Sequence, residues 1–228
     1  MTAAAELRSA LLETFRTMGN SGLNKGTSGN ASVRLTVESD GPGFLITPSS
    51  RPVERLAPAD FVVIREDGRF EGELEPSSEW RLHHDIYAAF PDAGAVLHAH
   101  SPFATSLACQ RLEIPPFHYL IALFGGSTVR CARYATFGTQ ALSDAAVAAL
   151  ADRRACLLAN HGMVVHGRDL AHALSLAVQF ETLCEHYWRT CQLAAPVLLS
   201  DAEMAAATDQ FARYATLVRR TSAGTTPS

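Results

Sequence analysis

The chain has 228 residues, 47% of them hydrophobic and 18% charged, so it can bury a sizeable core and is not broadly disordered. The net charge of −4 and the absence of any lysine- and arginine-rich block argue against a nucleic-acid-binding surface. No apolar run reaches the ~20 residues needed to span a bilayer, and the first residues lack a signal-peptide pattern. With five cysteines and no CxxC pair, the sequence predicts a cytoplasmic protein with free thiols and no membrane contact.

Hydrophobic periodicity and turn residues predict helices and strands along the whole chain. The predicted helices cover residues 2–19, 77–90, 102–111, 139–151 and 169–193. The predicted strands cover the end of segment 24–35, then 43–47, 60–66, 69–74, 95–100, 155–160 and 163–166. Segment 112–138 is rich in glycine, proline and aromatic residues, which predicts short strands that wrap the surface.

Strands that follow one another through turns, with helices between them, predict an α/β fold with a largely antiparallel sheet covered by helices. The sequence contains no internal repeat and no linker, so we expect a single domain over residues 1–218. Residues 219–228 are polar and are expected to form a disordered tail.

Two histidines occupy alternate positions in the apolar stretch VLHAHSP, residues 96–102. Because side chains i and i+2 of a strand point to the same face, His98 and His100 are expected to project together. Either histidine alone is more often a core residue with satisfied ring nitrogens. As a pair they favour a metal site, since one ion removes the desolvation cost of both rings.

His161 and Glu79 are the other candidate ligands. His161 interrupts two predicted strands, and three histidines with an open position are typical of a catalytic zinc site, although Co, Ni and Mn also accept imidazole. Glu79 lies in the first turn of a predicted helix, where it either caps the helix or reaches the metal as a ligand or acid/base. His83 lies one turn further on the same face, and we expect it to support or pack behind the site.

Three turns rich in hydroxyl groups, at residues 26–30, 49–50 and 77–78, are candidate anion sites. Backbone N–H and hydroxyl donors in such turns, or at a helix N-terminus, bind phosphate, although an ordinary turn or cap is the commoner role of each alone. Their combination with a metal site predicts a phosphorylated, oxygen-rich substrate. The candidate phosphate-binding residues are Thr27, Gly29, Asn30, Ser49, Ser50, Ser77 and Ser78.

Motifs along residues 5–215 resemble the zinc-dependent class II aldolase/adducin family. They are, in chain order, GTSGNASVRL, ITPSSRPVERL, PSSEWRLHHDIY, VLHAHSP, HYLIALFGG, YATFGT and LLANHGMVVHG. The resemblance implies a three-layer α/β/α fold around a central, mainly antiparallel sheet. It also implies a homotetramer with active sites at the subunit interfaces.

The same resemblance implies roles for the candidate residues. It implies Zn²⁺ bound by His98, His100, His161 and, in the resting state, Glu79, which then acts as acid/base. Tyr119 is implied to reach a neighbouring subunit's site, and Tyr214 is a further candidate near the C-terminus. The three hydroxyl-rich turns are implied to bind the substrate phosphate. The family usually has glycine where Ser50 stands, so we expect a similar but not identical phosphate pocket.

The implied reaction is the reversible, metal-assisted cleavage of a ketose 1-phosphate, such as L-fuculose 1-phosphate, to dihydroxyacetone phosphate and an aldehyde such as lactaldehyde. No lysine Schiff base is needed, and Lys25 is the only lysine in the chain. The alternatives are an aldolase for 5-deoxyribulose or methylthioribulose 1-phosphate, and a sugar-phosphate epimerase, dehydratase or decarboxylase. An alternative of another class is a non-catalytic adducin-like binding module, against which the presence of all four metal-site residues argues.

Overall fold

Eight strands form one sheet at the centre of the fold, in a computed structural model that describes residues 3–35 and 41–223. The strands are β1 (Asn30–Leu35), β2 (Gly43–Ile46), β3 (Val62–Arg65), β4 (Phe70–Glu71), β5 (Ala95–Ala99), β6 (Cys131–Ala132), β7 (Ala155–Leu158) and β8 (Gly162–Gly167). Their order in the sheet is β4-β3-β2-β1-β5-β8-β7-β6. Every neighbouring pair is antiparallel except β6 and β7, which confirms the mainly antiparallel prediction.

Helices cover both faces of this sheet. The described helices are α1 (Ala3–Asn20), α2 (Trp80–Ala89), α3 (Pro102–Ala108), α4 (Gln140–Ala149), α5 (Leu170–Leu193) and α6 (Asp201–Ala223). One buried cluster joins α1, α3 and α5 to the sheet, and a second joins α2 and α4 to the opposite face. Along β5, Val96 belongs to the second cluster and its neighbours Leu97 and Ala99 to the first, as the pleat requires. The three-layer α/β/α prediction is confirmed.

The register of the three central strands, β1, β5 and β8, decides where their ends lie. β5 lies between β1 and β8, and its register places His98 opposite Asn30 on one side and opposite Val164 on the other. The end of β5 and the beginnings of β1 and β8 therefore meet at one edge. At this edge Gly162 is required by close packing, because a Cβ there would overlap the carbonyl oxygen of Ala99.

Several boundaries differ from the sequence prediction. The second strand of the hairpin around Asp67–Gly68 is only two residues long, and segment 112–138 contains a 3₁₀ helix over Tyr119–Phe124 as well as β6. No element was predicted for residues 194–218, yet α6 begins there, because buried Met204 and the ring of Phe211 pack it onto the rest of the fold. It extends to Ala223 and so includes residues 219–223 of the predicted disordered tail, while residues 224–228 lie outside the described residues.

The structure also bears on the predictions about membrane contact and cysteine state. Among residues 3–35 and 41–223, no helix is long and apolar enough to cross a membrane. All five cysteines fall in these ranges and are free thiols, of which Cys156 and Cys184 are buried.

Candidate active site

Glu79, His98, His100 and His161 lie together at the edge of the sheet, with one potential ligand atom of each within 4.8 Å of the others. The Nε2 atoms of His98 and His100 are 3.0 Å apart. The Glu79 carboxylate oxygens lie 3.1 Å from Nε2 of His98 and 3.3 Å from Nε2 of His161. The structure therefore brings together the four residues that the sequence analysis proposed as metal ligands.

Local backbone structure explains how the three histidines converge. His98 lies within β5 and His100 just beyond its end, so the pleat directs both rings to the same face. His161 lies in the short turn between β7 and β8, directly after Asn160, which has a φ of 54°. Asparagine tolerates this left-handed conformation better than most residues, and its Oδ1 accepts a hydrogen bond from Nε of Arg111 at 2.5 Å.

Glu79 occupies the N-cap position, just before α2, but its side chain makes no capping hydrogen bond to the helix. The carboxylate instead accepts a hydrogen bond from Nδ2 of Asn30 at 3.0 Å. Its Oε1 atom is buried and has no hydrogen-bond partner among the described residues. A buried, negatively charged oxygen without a donor is unfavourable unless a cation completes its environment.

The pKa directions of Glu79, His100 and His161 favour the protonation states of metal ligands. Burial lowers the pKa of His100 and of His161 to about 4, and the neighbouring His98 adds to the effect, so both rings are neutral near pH 7. Burial alone would raise the pKa of Glu79, but His98, His161 and Asn30 outweigh it and hold that pKa far below the usual range. Burial also opposes charge on His98, while the Glu79 carboxylate and a backbone carbonyl raise its pKa.

These four side chains fit a divalent transition metal. Imidazole nitrogens and carboxylate oxygens both ligate zinc, and three protein ligands with a fourth, exchangeable position are typical of catalytic zinc sites. His98 makes a hydrogen bond through Nδ1 to the carbonyl oxygen of Met163 at 2.8 Å. Such a bond fixes the ring and leaves Nε2 to face a metal.

A cleft of about 370 Å³ opens over Glu79, His100 and His161. All of the predicted phosphate-binding residues line it: Thr27, Gly29, Asn30, Ser49, Ser50, Ser77 and Ser78. No lysine or arginine is among the described residues that line this cleft. An anion bound there is met by hydroxyl and N–H donors rather than by a side-chain cation.

Backbone hydrogen bonds hold the three hydroxyl-rich turns together. The N–H of Ser77 donates to the carbonyl of Thr47, and the N–H of Ser49 donates to the carbonyl of Glu75. The Thr47 hydroxyl accepts from the N–H of Ala31, which follows Asn30 at the beginning of β1. Segments distant in sequence thus form one continuous polar wall.

A second part of the cleft lining was not predicted from the sequence. This part is largely apolar and is formed by Tyr134, Ala135 and Phe137, with Asn160 beside His161. Tyr134, Ala135 and Phe137 belong to the YATFGT motif, and Asn160 to the LLANHGMVVHG motif. The family resemblance already included both motifs, so the lining role of these residues could have been inferred from their place in the motifs.

Tyr119 does not reach this cleft in its own chain. Its side chain is 51% exposed, and its ring stacks on that of Phe211 in α6 with the centroids 6.0 Å apart. Tyr214 is also exposed on α6 and is not among the described residues lining the cleft.

The fold and this site define the class of protein: the chain belongs to the class II aldolase and adducin family. The sequence model described as Class II Aldolase and Adducin N-terminal domain matches residues 9–188. The chain is 50% identical over 208 residues to a 5-methylthioribulose-1-phosphate/5-deoxyribulose-1-phosphate aldolase of Rhodospirillum rubrum, over 91% of this chain and 92% of that protein.

The chain is also similar to L-fuculose phosphate aldolases, both in sequence and in structure. The chain is 40% identical over 210 residues to the L-fuculose phosphate aldolase of Escherichia coli (strain K12), over 92% of this chain and 95% of that protein. A solved structure of an L-fuculose 1-phosphate aldolase superposes with a TM-score of 0.86 at 35% identity. That alignment covers 92% of this chain and 97% of the other.

Ser50 provides a test of the backbone geometry of the turn after β2. Its φ of 55° is a left-handed conformation, which costs a residue with a Cβ about 1 kcal/mol relative to glycine. We expect Ser50→Gly to raise the free energy of unfolding by at most about 1 kcal/mol and to leave the cleft intact, because relief of the left-handed strain outweighs or cancels the flexibility that glycine adds to the unfolded chain. Urea denaturation measures the change. Ser49→Gly is the matched control, because Ser49 has no positive φ and glycine there should destabilise by about 0.5–1 kcal/mol. Equal changes in both variants would contradict this account.

Proposed function

We propose that this protein is a metal-dependent aldolase that reversibly cleaves a ketose 1-phosphate to dihydroxyacetone phosphate and an aldehyde. The observation that carries the proposal is the placement of the Glu79, His98, His100 and His161 cluster on the floor of a cleft whose other polar lining consists of phosphate-type donors. The relatives described above are named as aldolases of this substrate class. We propose Zn²⁺ as the metal, because three imidazoles and one carboxylate suit it.

The side chains of the cleft divide the work between binding and proton transfer. When bound, the metal ion polarises the substrate carbonyl and stabilises the negative charge that develops as the C3–C4 bond breaks. The donors of the hydroxyl-rich turns hold the phosphate and so place the reacting carbons near Glu79. In cleavage the C4 hydroxyl proton passes through Tyr119 to solvent as the C4 oxygen becomes the aldehyde oxygen, and the C3–C4 electron pair stays on C3. Glu79 then delivers to C3 a proton that it has taken up from solvent. Return of a proton to the aldehyde oxygen in the synthetic direction is assigned to Tyr119.

The aldehyde portion distinguishes two substrate groups. L-Fuculose 1-phosphate yields lactaldehyde, whereas 5-deoxyribulose and methylthioribulose 1-phosphates yield aldehydes without a hydroxyl group. The 50% identity to the Rhodospirillum rubrum protein supports the second group. The largely apolar lining at Tyr134, Ala135 and Phe137 also suits an aldehyde portion without a hydroxyl group.

We further propose that the protein works in the cytoplasm as a homotetramer with active sites at subunit interfaces. Tyr119 cannot act in its own cleft, and its half-exposed ring next to Phe211 leaves an aromatic surface for a neighbouring subunit. Tyr119 would then complete the site of that neighbour. Free thiols at all five cysteines suit a reducing compartment.

The reaction is tested by incubating the purified protein with L-fuculose, 5-deoxyribulose, methylthioribulose and pentulose phosphates. We expect dihydroxyacetone phosphate from one or more ketose 1-phosphates, detected by coupled reduction. Epimerised or dehydrated products without dihydroxyacetone phosphate would favour the epimerase or dehydratase alternative. No product from any substrate, together with no bound transition metal, would favour the non-catalytic adducin-like alternative.

Glu79→Gln tests the carboxylate. The three histidines should retain the metal, while kcat should fall by about 10²–10⁴ because an amide cannot exchange the proton. Metal content by mass spectrometry and steady-state kinetics check both expectations. Glu75→Gln is the matched control, since Glu75 is exposed and four residues away. An unchanged kcat in Glu79→Gln would remove its proposed role.

The interface role of Tyr119 is tested by subunit mixing. Tyr119→Phe and Glu79→Gln should each be nearly inactive as homo-oligomers. Co-expressing the two variants should restore activity, because about one site in four then combines an intact Glu79 with an intact Tyr119 from a neighbour when subunits mix at random. Light scattering gives the oligomeric state. Mixtures as inactive as the separate variants, in a confirmed oligomer, would show that the two residues do not share a site across subunits.

A further inference from the structure

A chain of buried hydrogen bonds lies directly behind the Glu79 carboxylate. Its members are Asn30, Ser32, His83 and Tyr87, which are 4%, 0%, 0% and 6% exposed. Asn30 and Ser32 belong to β1, whereas His83 and Tyr87 lie one turn apart on α2. The chain therefore connects the sheet to the same helix that Glu79 precedes.

The hydrogen-bond distances define one continuous path. Nδ2 of Asn30 is 3.0 Å from Oε2 of Glu79, and Oδ1 of Asn30 is 2.5 Å from Nε2 of His83. Nδ1 of His83 is 2.7 Å from the hydroxyl of Ser32, which is 2.8 Å from the hydroxyl of Tyr87.

The chemistry of the two ends fixes the direction of every bond. An ionised carboxylate only accepts, so Asn30 must turn its amide N–H to Glu79 and its carbonyl to His83. His83 must then carry its proton on Nε2 and accept at Nδ1 from the Ser32 hydroxyl, which in turn accepts from Tyr87. Burial lowers the pKa of His83 to about 3 and raises the pKa of Tyr87, so the imidazole is neutral and the phenol keeps its proton.

His83 is the member of this path that discriminates between the two ends of the Asn30 amide. The amide oxygen and nitrogen have nearly the same size, so packing alone does not select an orientation. The N–H at Nε2 of His83 donates a hydrogen bond to the Asn30 carbonyl, which leaves the Asn30 amide N–H to donate to Glu79. If the amide turned over, its oxygen would face the carboxylate and repel it in a buried setting.

We propose that His83 is a positioning residue, which holds the Asn30 amide in the orientation that presents Glu79 to the metal. When Glu79 leaves the metal, the same orientation keeps the Asn30 N–H pointing into the cleft, where Asn30 is one of the lining residues. The role rests on the proposed function, because it assumes a metal at Glu79. It differs from simple packing in that it acts only through Glu79.

The test is a double-mutant cycle read by cobalt binding as well as by turnover. Co²⁺ is titrated into chelator-treated protein, and its visible absorption reports the number and type of ligands. His83→Phe fills the space without hydrogen bonds, and His83→Gln offers an amide in place of the imidazole. His166→Phe is the matched control, because His166 is 2% exposed in β8, bonds through Nε2 to the carbonyl of Arg153 and does not touch the cluster.

We expect His83→Phe to weaken Co²⁺ binding and to lower kcat by about tenfold each, with KM changed less. In a Glu79→Gln background the same change should have little effect on Co²⁺ affinity, since the residue it acts through is already altered. His83→Gln should recover part of the loss, and His166→Phe should lower stability without either effect. If His83→Phe does not fold, Ser32→Ala removes the donor to Nδ1 and should weaken Co²⁺ binding in the same direction.

A Co²⁺ affinity loss of the same size in both backgrounds would overturn the proposal, as would an equal loss in His166→Phe. Wild-type protein that binds Co²⁺ but cleaves no ketose 1-phosphate would refute the proposed reaction while the cobalt cycle still decides the role of His83. Wild-type protein that binds no Co²⁺ would overturn both.

Discussion

The antiparallel register around β5 is the constraint on which the site depends. Because His98 stands opposite Asn30 in β1 and opposite Val164 in β8, the ends of three neighbouring strands meet at one edge. The pleat then directs His98 and His100 to one face, and the turn before β8 brings in His161. A shift of one residue in this register would send the histidines to the opposite layer. The buried apolar side chains of both layers oppose that shift, so packing of the core specifies the geometry of the cluster.

The polar wall of the cleft is built in a different way. Its hydroxyl groups come from three turns that are far apart in sequence. Backbone bonds between Thr47 and Ser77 and between Ser49 and Glu75 join two of the turns, and bonds between Thr47 and Ala31 join the third. Ser50 adopts a left-handed backbone conformation that glycine adopts without strain, so the chain retains the turn geometry despite the Cβ. This conformational cost falls on an exposed loop, which accommodates it more easily than the core would.

Sequence periodicity was sufficient for the parts of the site that depend on local geometry. The spacing of His98 and His100 predicts a shared face, and the break at His161 predicts a strand end. Periodicity was not sufficient to predict contacts between residues of different helices and strands. Whether Glu79 caps α2 or faces the cluster depends on the Asn30 amide, which reaches it only through the β1–β5 register. Similarly, the packing of α6 follows from Met204 and Phe211, two apolar residues in a segment that is otherwise mostly polar or alanine.

The absence of lysine and arginine from the described lining of the cleft has a thermodynamic consequence. A sugar phosphate carries about two negative charges near neutral pH. Neutral hydrogen-bond donors stabilise these charges less than a cation at the same distance would. Among the groups that the described residues of this chain place at the cleft, a divalent ion at the histidine cluster would then be the strongest positive charge near the substrate. Binding of one therefore favours binding of the other, and the coupling is reciprocal. A bound sugar phosphate would thus help to retain the metal, and metal would be lost first from enzyme without substrate.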